Sequence, residues 1–147
     1  MTTIAVGADH AGYHLKTDLI AVLTDAGHTV VDCGTHSTDR VDYPDFGAAV
    51  GRSVASGEAE AGLCVCGSGI GIAIAANKIP GVRAATVHDV TSAHLAKEHN
   101  DANVICIGER LTGPEVAKEA VLAFLGATFE GGRHTGRVAK IDALLEG

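Results

Sequence analysis

Five short apolar runs recur along the chain, each followed by a segment with helical patterning: Ile4–Ala8, Thr29–Cys33, Leu63–Cys66, Ala84–Val87 and Val104–Ile107. Runs this short, without regular polar alternation, read as strands covered on both faces. Strands that alternate with helices give an α/β fold, here one doubly wound sheet of five parallel strands with helices on both faces and a C-terminal helix. A single domain over residues 1–147 accommodates it, because a chain of 147 residues buries a core of ordinary size.

The helical segments carry their own punctuation. Tyr13–Ala26 sets Leu15, Leu19, Val22 and Leu23 on one face and stops at Gly27. Pro44 opens a helix to Ser56, and a short alanine-rich helix runs from Ile72 to Lys78. Asp89 or Thr91 caps a helix through His99. Gly113-Pro114 starts a helix expected to turn Val116, Ala117, Ala120, Val121 and Phe124 inward, Gly126–Gly132 is a linker, and a last helix runs from Thr135 to Leu145.

In such sheets ligands sit beyond the carboxyl ends of the strands, at the topological switch point. The polar residues placed there are Asp9 and His10, the stretch Cys66–Gly71, His88 and Asp89, and Glu109 and Arg110. Strands one and three are neighbours in the flavodoxin-like order, which lets Asp9, His10 and Cys66 share a pocket. The stretch Cys66-Gly67-Ser68-Gly69-Ile70-Gly71 joins a strand to a helix start. Glycines there let a ligand approach the backbone, and the unpaired N–H groups of a helix start favour negative charge and thiolate over thiol. Cys66 is thus a candidate base or nucleophile beside an anion-holding loop; the plainer reading makes it a small core residue and the glycines a tight turn.

Neighbouring motifs fail on spacing. No G-x-x-x-x-G-K-[ST] occurs, and the glycines at 67, 69 and 71 do not make G-x-G-x-x-G. A phosphatase-type Cys-x5-Arg loop needs an arginine where Ile72 stands, and a receiver domain needs a phosphoacceptor aspartate at the end of strand three, where Cys66 stands. Two tyrosines and three phenylalanines offer little cover for a flavin ring.

Net charge of −7 removes any global field for nucleic acid or an anionic membrane, so an anionic ligand needs a local cluster. Arg133 and Arg137, four apart, share a helix face, and with Arg110 they supply planar donors suited to phosphate, unless they are simply a solvated face. No apolar run approaches the ~20 residues of a membrane span, and Met-Thr-Thr-Ile-Ala-Val-Gly lacks a signal-peptide layout, so a cytoplasmic location is expected. The four cysteines show no C-x-x-C or His/Cys ligand spacing, which argues for reduced thiols and against zinc. Cys64 and Cys66 are expected on opposite faces of their strand, and Cys33, Cys64 and Cys106 as packing residues.

These motifs carry a resemblance. Gly7-x-Asp9-His10 with Gly12, Gly34-Thr35, Asp42-Tyr43-Pro44, Cys66-Gly67-Ser68-Gly69-x-Gly71, Ala75-Ala76-Asn77-Lys78, His99-Asn100-Asp101, and Glu130-Gly131-Gly132-Arg133-His134 with Arg137 occur in this order along nearly the whole chain. The chain resembles the sugar-phosphate isomerase family that groups type B ribose-5-phosphate isomerases with allose- and galactose-6-phosphate isomerases. The resemblance implies aldose–ketose isomerisation of D-ribose 5-phosphate and D-ribulose 5-phosphate through a cis-enediolate, in the pentose phosphate pathway and without metal or nucleotide cofactor. It makes Cys66 the base and His99 the ring-opening acid/base. Asp9, His10, Tyr43, Gly67, Ser68, Gly69, Ile70, Gly71, Asn100, Arg110, Arg133, His134 and Arg137 become the substrate-binding set. Another branch of the family uses a helix glutamate as base; Ile72 stands there, which assigns this chain to the cysteine branch, and Ser68 replaces the usual threonine. The resemblance also implies a homodimer or tetramer with sites at the subunit interface, the segment 126–147 reaching the partner.

Without the resemblance, His99 reads as a histidine favoured at a helix C-terminus and Asp9 as an N-cap. A six-carbon phosphosugar remains an alternative substrate, and a non-catalytic phosphosugar- or nucleotide-binding domain an alternative function.

Overall fold

The computed structural model describes residues 2–145; Met1, in the N-terminal stretch read above, and Glu146 and Gly147, the end of the segment 126–147, lie outside the described residues. Its strands are β1 (Thr3–Ala8), β2 (Thr29–Asp32), β3 (Ala61–Cys66), β4 (Ala84–Thr86) and β5 (Val104–Gly108). Its helices are α1 (Tyr13–Asp25), α2 (Tyr43–Ala55), α3 (Gly71–Ala76), α4 (Val90–Asn100), α5 (Pro114–Gly126) and α6 (Arg133–Ala143). The strands form one parallel sheet in the order β2-β1-β3-β5-β4, with the last two strands exchanged relative to the flavodoxin order.

Residues alternate between the two faces as the pleat requires. Ile4, Val6, Leu63, Val65, Ile105 and Ile107 meet Leu15, Leu19 and Leu23 of α1, Ala93 and Ala96 of α4, and Ala117, Val121 and Phe124 of α5. Ala5, Cys64, Cys66, Val104 and Cys106 face the other way, onto Val50 of α2 and Ile72, Ala73 and Ala76 of α3. Small side chains on this second face let α2 close down: a Cβ on Gly62 would stand 2.6 Å from Val50 Cγ1. Cys64 and Cys66 therefore share a face, contrary to the sequence expectation, because a strand's period of two returns to the same side every second residue. Cys106 pairs with Cys64 across β3 and β5, and the Cys64 hydrogen bond together with burial pushes its thiol well above the usual range. Burial raises Cys33 to about 11.

Two further expectations change, and a third narrows to one of its two candidates. Val116 is 43% exposed rather than inward, since Ala117, Ala120, Val121 and Phe124 already fill the buried stripe of α5. Asp9 does not cap α1; Gly12 occupies that position, and the Asp9 carboxylate instead closes the turn before it. Asp89, not Thr91, caps α4, in a reciprocal pair with Ser92, and its carboxyl falls below the usual range because the Ser92 N–H and hydroxyl bond it.

The chain leaves β1 through α1 on one face and leaves β3 through α3 on the other. The connections therefore diverge between the carboxyl ends of β1 and β3 and open a crevice there. Buried Lys16 secures the wall next to it: its Nζ donates to Asp32 Oδ1 and to the Thr35 carbonyl, both at 2.7 Å.

Candidate active site

The crevice holds a cavity of about 460 Å³ lined by Asp9, His10, Ala11, Tyr43, Cys66, Gly67, Ser68, Ile70, Gly71, Arg110 and Leu111. Cys66 ends β3 and is almost fully buried, and its Sγ accepts a hydrogen bond from the Gly69 N–H at 3.2 Å. The Ile70 N–H turns back to Ser68 Oγ at 3.2 Å. Among the described residues the amides of Gly67, Ser68 and Gly71 have no protein acceptor, so they are free for a ligand. With six residues, α3 adds little dipole; the loop amides themselves are the donors.

Two glycines are dictated by geometry. Gly69 has φ +75°, and a Cβ there would lie 2.8 Å from the Ile107 carbonyl carbon. At Gly71 a Cβ would come within 2.6 Å of the Tyr43 ring, which leans over the start of α3.

The rest of the wall is fixed from β1 and β5. Asp9 Oδ1 accepts from the N–H groups of Ala11 and Gly12 at 3.0 and 3.1 Å. His10 Nδ1 lies 3.2 Å from both the N–H and the carbonyl of Val41; accepting from the N–H leaves the neutral ring's proton on Nε2. The Arg110 guanidinium lies over Gly67, 3.3 Å from the position a Cβ would take, and the Arg110 N–H donates to the Gly67 carbonyl at 3.0 Å. Sequence reasoning missed Ala11 and Leu111, and it missed the use of Glu109. That carboxylate turns away and accepts the Leu15 N–H at 2.6 Å, at the start of α1. Only strand pairing brings positions 15 and 109 together.

His99, Asn100, Arg133, His134 and Arg137 lie elsewhere. A crossover helix in a parallel sheet runs antiparallel to the strands, so α4 carries His99 and Asn100 to the amino-terminal edge, opposite Cys66. Asp101, at φ +46°, ends the helix, and Arg83 Nε donates to its carbonyl at 3.0 Å. Arg83 Nη1 also reaches Asp142 Oδ2 at 3.1 Å, which ties α6 to the same corner. Between α5 and α6 the chain folds back on α4, and the Glu130 N–H donates to the Glu98 carbonyl at 3.0 Å. Because α6 starts at Arg133, two residues before the expected start, the exposed Arg133 and Arg137 share its first turns while His134 turns inward.

The His99 and His134 rings stack with centroids 4.5 Å apart and planes 14° apart. Glu130 Oε1 lies 3.6 Å from His99 Nε2 and 3.5 Å from His134 Nε2. Burial, then Arg133 and His99, hold the His134 imidazole below its usual range, and its Nε2 makes no hydrogen bond. The three donor atoms fall within 4.8 Å of one another, a grouping invisible to ligand spacing in sequence. Nearly parallel rings send their lone pairs side by side instead of to one point, so the cluster as built suits a shared proton better than a metal. No helix among the described residues is long and apolar enough to cross a membrane.

Comparison with known proteins places these observations. Residues 4–141 match the ribose/galactose isomerase family. The chain is 47% identical to ribose-5-phosphate isomerase B of Escherichia coli, covering 98% of this chain and 97% of that one. It is 42% identical to a galactose-6-phosphate isomerase subunit of Clostridium acetobutylicum, covering 97% and 83%. A D-erythrulose-4-phosphate isomerase of Pectobacterium atrosepticum is likewise 42% identical, covering 96% and 93%. Among solved structures, ribose-5-phosphate isomerase B of Clostridium thermocellum superimposes with a TM-score of 0.97 at 46% identity, covering 98% and 97%.

Proposed function

This chain belongs to the ribose/galactose isomerase family of sugar-phosphate isomerases, and we propose that it interconverts D-ribose 5-phosphate and D-ribulose 5-phosphate without a cofactor. The observation that carries the proposal is the Cys66 sulfur, which faces a cavity rimmed by unpaired amides. As a thiolate, Cys66 takes the C2 proton of the open-chain aldose. The released electron pair forms the C1–C2 double bond and charges the C1 oxygen, giving a cis-enediolate. Returning the proton to C1 and moving the hydroxyl proton from O2 to O1 completes the ketose. Amides of Gly67, Ser68 and Gly71 hold the developing charge, and Asp9, His10, Tyr43 and Ser68 hold the sugar hydroxyls.

In this reading a second copy of the chain completes the site. Ring opening by His99, sugar contact by Asn100 and phosphate binding by Arg133, His134 and Arg137 come from the far edge of the partner, while Arg110 serves its own cavity. Ile70 and Leu111, each more than half exposed, provide an apolar rim to the cavity for that copy to cover. The assembly is a homodimer or a tetramer built from such dimers.

Cys66→Ala tests the base. Turnover falls by a factor of ~10²–10⁴ while ribose 5-phosphate still binds; retained turnover removes Cys66 from the mechanism. The relatives acting on galactose 6-phosphate and erythrulose 4-phosphate support a second reading, in which another phosphosugar is preferred. Comparing kcat/KM across four-, five- and six-carbon phosphosugars decides between them.

A further inference from the structure

We propose that Thr86, outside the cavity wall, is a positioning residue that locks the Gly69–Ile70 peptide and so holds the anion loop against Cys66. The proposal rests on the reading of Cys66 as the base. Thr86 ends the edge strand β4, and its Oγ1 donates to the Gly69 carbonyl at 2.7 Å, a full-strength hydroxyl bond joining residues 17 apart in sequence. Underneath, the same loop rests on β5: the Cα of Gly69 has the Ile107 carbonyl carbon and the Gly108 nitrogen 2.8 and 2.9 Å from the site of its missing Cβ. Gly69 is thus pinned from two sides in a left-handed conformation that only glycine adopts easily.

That pinning reaches the reacting sulfur through the backbone. A trans peptide points its C=O and N–H in opposite directions. Holding the Gly69 carbonyl toward Thr86 therefore turns the Ile70 N–H the other way, onto Ser68 Oγ. The same residue's own N–H is the donor to Cys66 Sγ. With the hydroxyl gone, the Gly69 carbonyl loses its partner, and the Gly69–Ile70 peptide is held only by packing on β5 and by the Ile70 N–H on Ser68 Oγ. Through the dihedrals of Gly69 the preceding peptide shifts with it, which loosens the Gly69 N–H on the sulfur and the aim of the free amides on either side. Thr86 itself lines no part of the cavity and touches no substrate atom, and Asp9, His10 and Tyr43 lie off the loop, so its loss falls chiefly on the chemical step.

Thr86→Val keeps the shape and β-branching and removes only the hydroxyl; Thr86→Ser keeps the hydroxyl. In the full-length protein we expect Thr86→Val to lower kcat for ribose 5-phosphate about tenfold with KM changed less than about twofold. Alkylation of Cys66 by iodoacetamide at fixed pH, located by mass spectrometry, slows in the same variant, and Thr86→Ser restores both quantities. The proposal is overturned if Thr86→Val keeps wild-type kcat and alkylation rate, if KM rises in place of the fall in kcat, or if Thr86→Ser loses as much as Thr86→Val. Should the wild-type protein turn over no phosphosugar, the functional reading fails, and the alkylation rates alone still decide whether Thr86 positions the loop.

Discussion

The proposed split of the two reactive groups between two chains predicts complementation. From the carboxyl edge of the sheet, α4 runs back through 11 residues, the last two of which are His99 and Asn100. At 1.5 Å per residue His99 lies about 14 Å from the start of the helix along the strand direction. Acid–base groups work within about 3 Å of the atom they serve, so His99 cannot serve the Cys66 of its own chain. Mixing Cys66→Ala with His99→Ala protein and letting subunits exchange makes half of all dimers mixed. In a mixed dimer one site carries both lesions and the other carries neither. Recovery is therefore about one quarter of wild-type activity, from parents that are each nearly inactive. The assay is formation of ketose phosphate after denaturation and joint renaturation, with two affinity tags of different size to verify exchange. A mixture that exchanges fully yet stays at the level of its parents refutes the shared site.

Lys16→Met strands the buried Thr35 carbonyl and unpairs Asp32; because Asp32 is 37% exposed, the ion-pair part is discounted, and the net loss is about 2 kcal/mol, or roughly 4–8 °C in melting temperature. Burial pushes the Asp32 carboxyl up, but the bonds from Lys16 and Gly34 hold it below its ordinary 3.8. Its stabilisation is thus complete above that value and lost as pH falls through the lower, folded one. Acid unfolding followed by circular dichroism is expected to lose this component in Lys16→Met. Gly71→Ala improves helix propensity by up to ~1 kcal/mol yet displaces Tyr43, whose ring its Cβ would approach to 2.6 Å; a raised KM with no drop in melting temperature is the expected pair of results. Arg137→Ala is expected to raise KM about tenfold while sparing kcat, and an unchanged KM removes Arg137 from phosphate binding.

How much of this was legible without coordinates depends on how local the determinants are. The strands could be read because each is a short apolar run, and Cys66 with its glycines because strand, turn and helix start are contiguous. β3 begins at Ala61, two residues before the apolar run; Gly62 is set by the closeness of Val50 and Val54 on α2, and Ala61 on the opposite face belongs to the α1 and α5 side of the core, so neither is marked by strand propensity. The start of α6 was misplaced for a similar reason: Gly132 caps it without a side chain, so nothing in the residue types marks Arg133 as the first turn. Long-range partnerships were illegible altogether. Glu109 on the Leu15 N–H, Lys16 on Asp32, and Thr86 on Gly69 pair residues that only the sheet order makes neighbours. Placement of His99 at the edge opposite Cys66 followed from topology and from no property of its own neighbourhood.

If Cys66 and His99 meet only across a seam between copies, a phosphosugar lodged there acts as mortar. It binds the joined form and has no comparable hold on separated chains, so mass action makes substrate strengthen the very association that turnover needs. Specific activity then falls on dilution, and falls less steeply when the sugar is saturating.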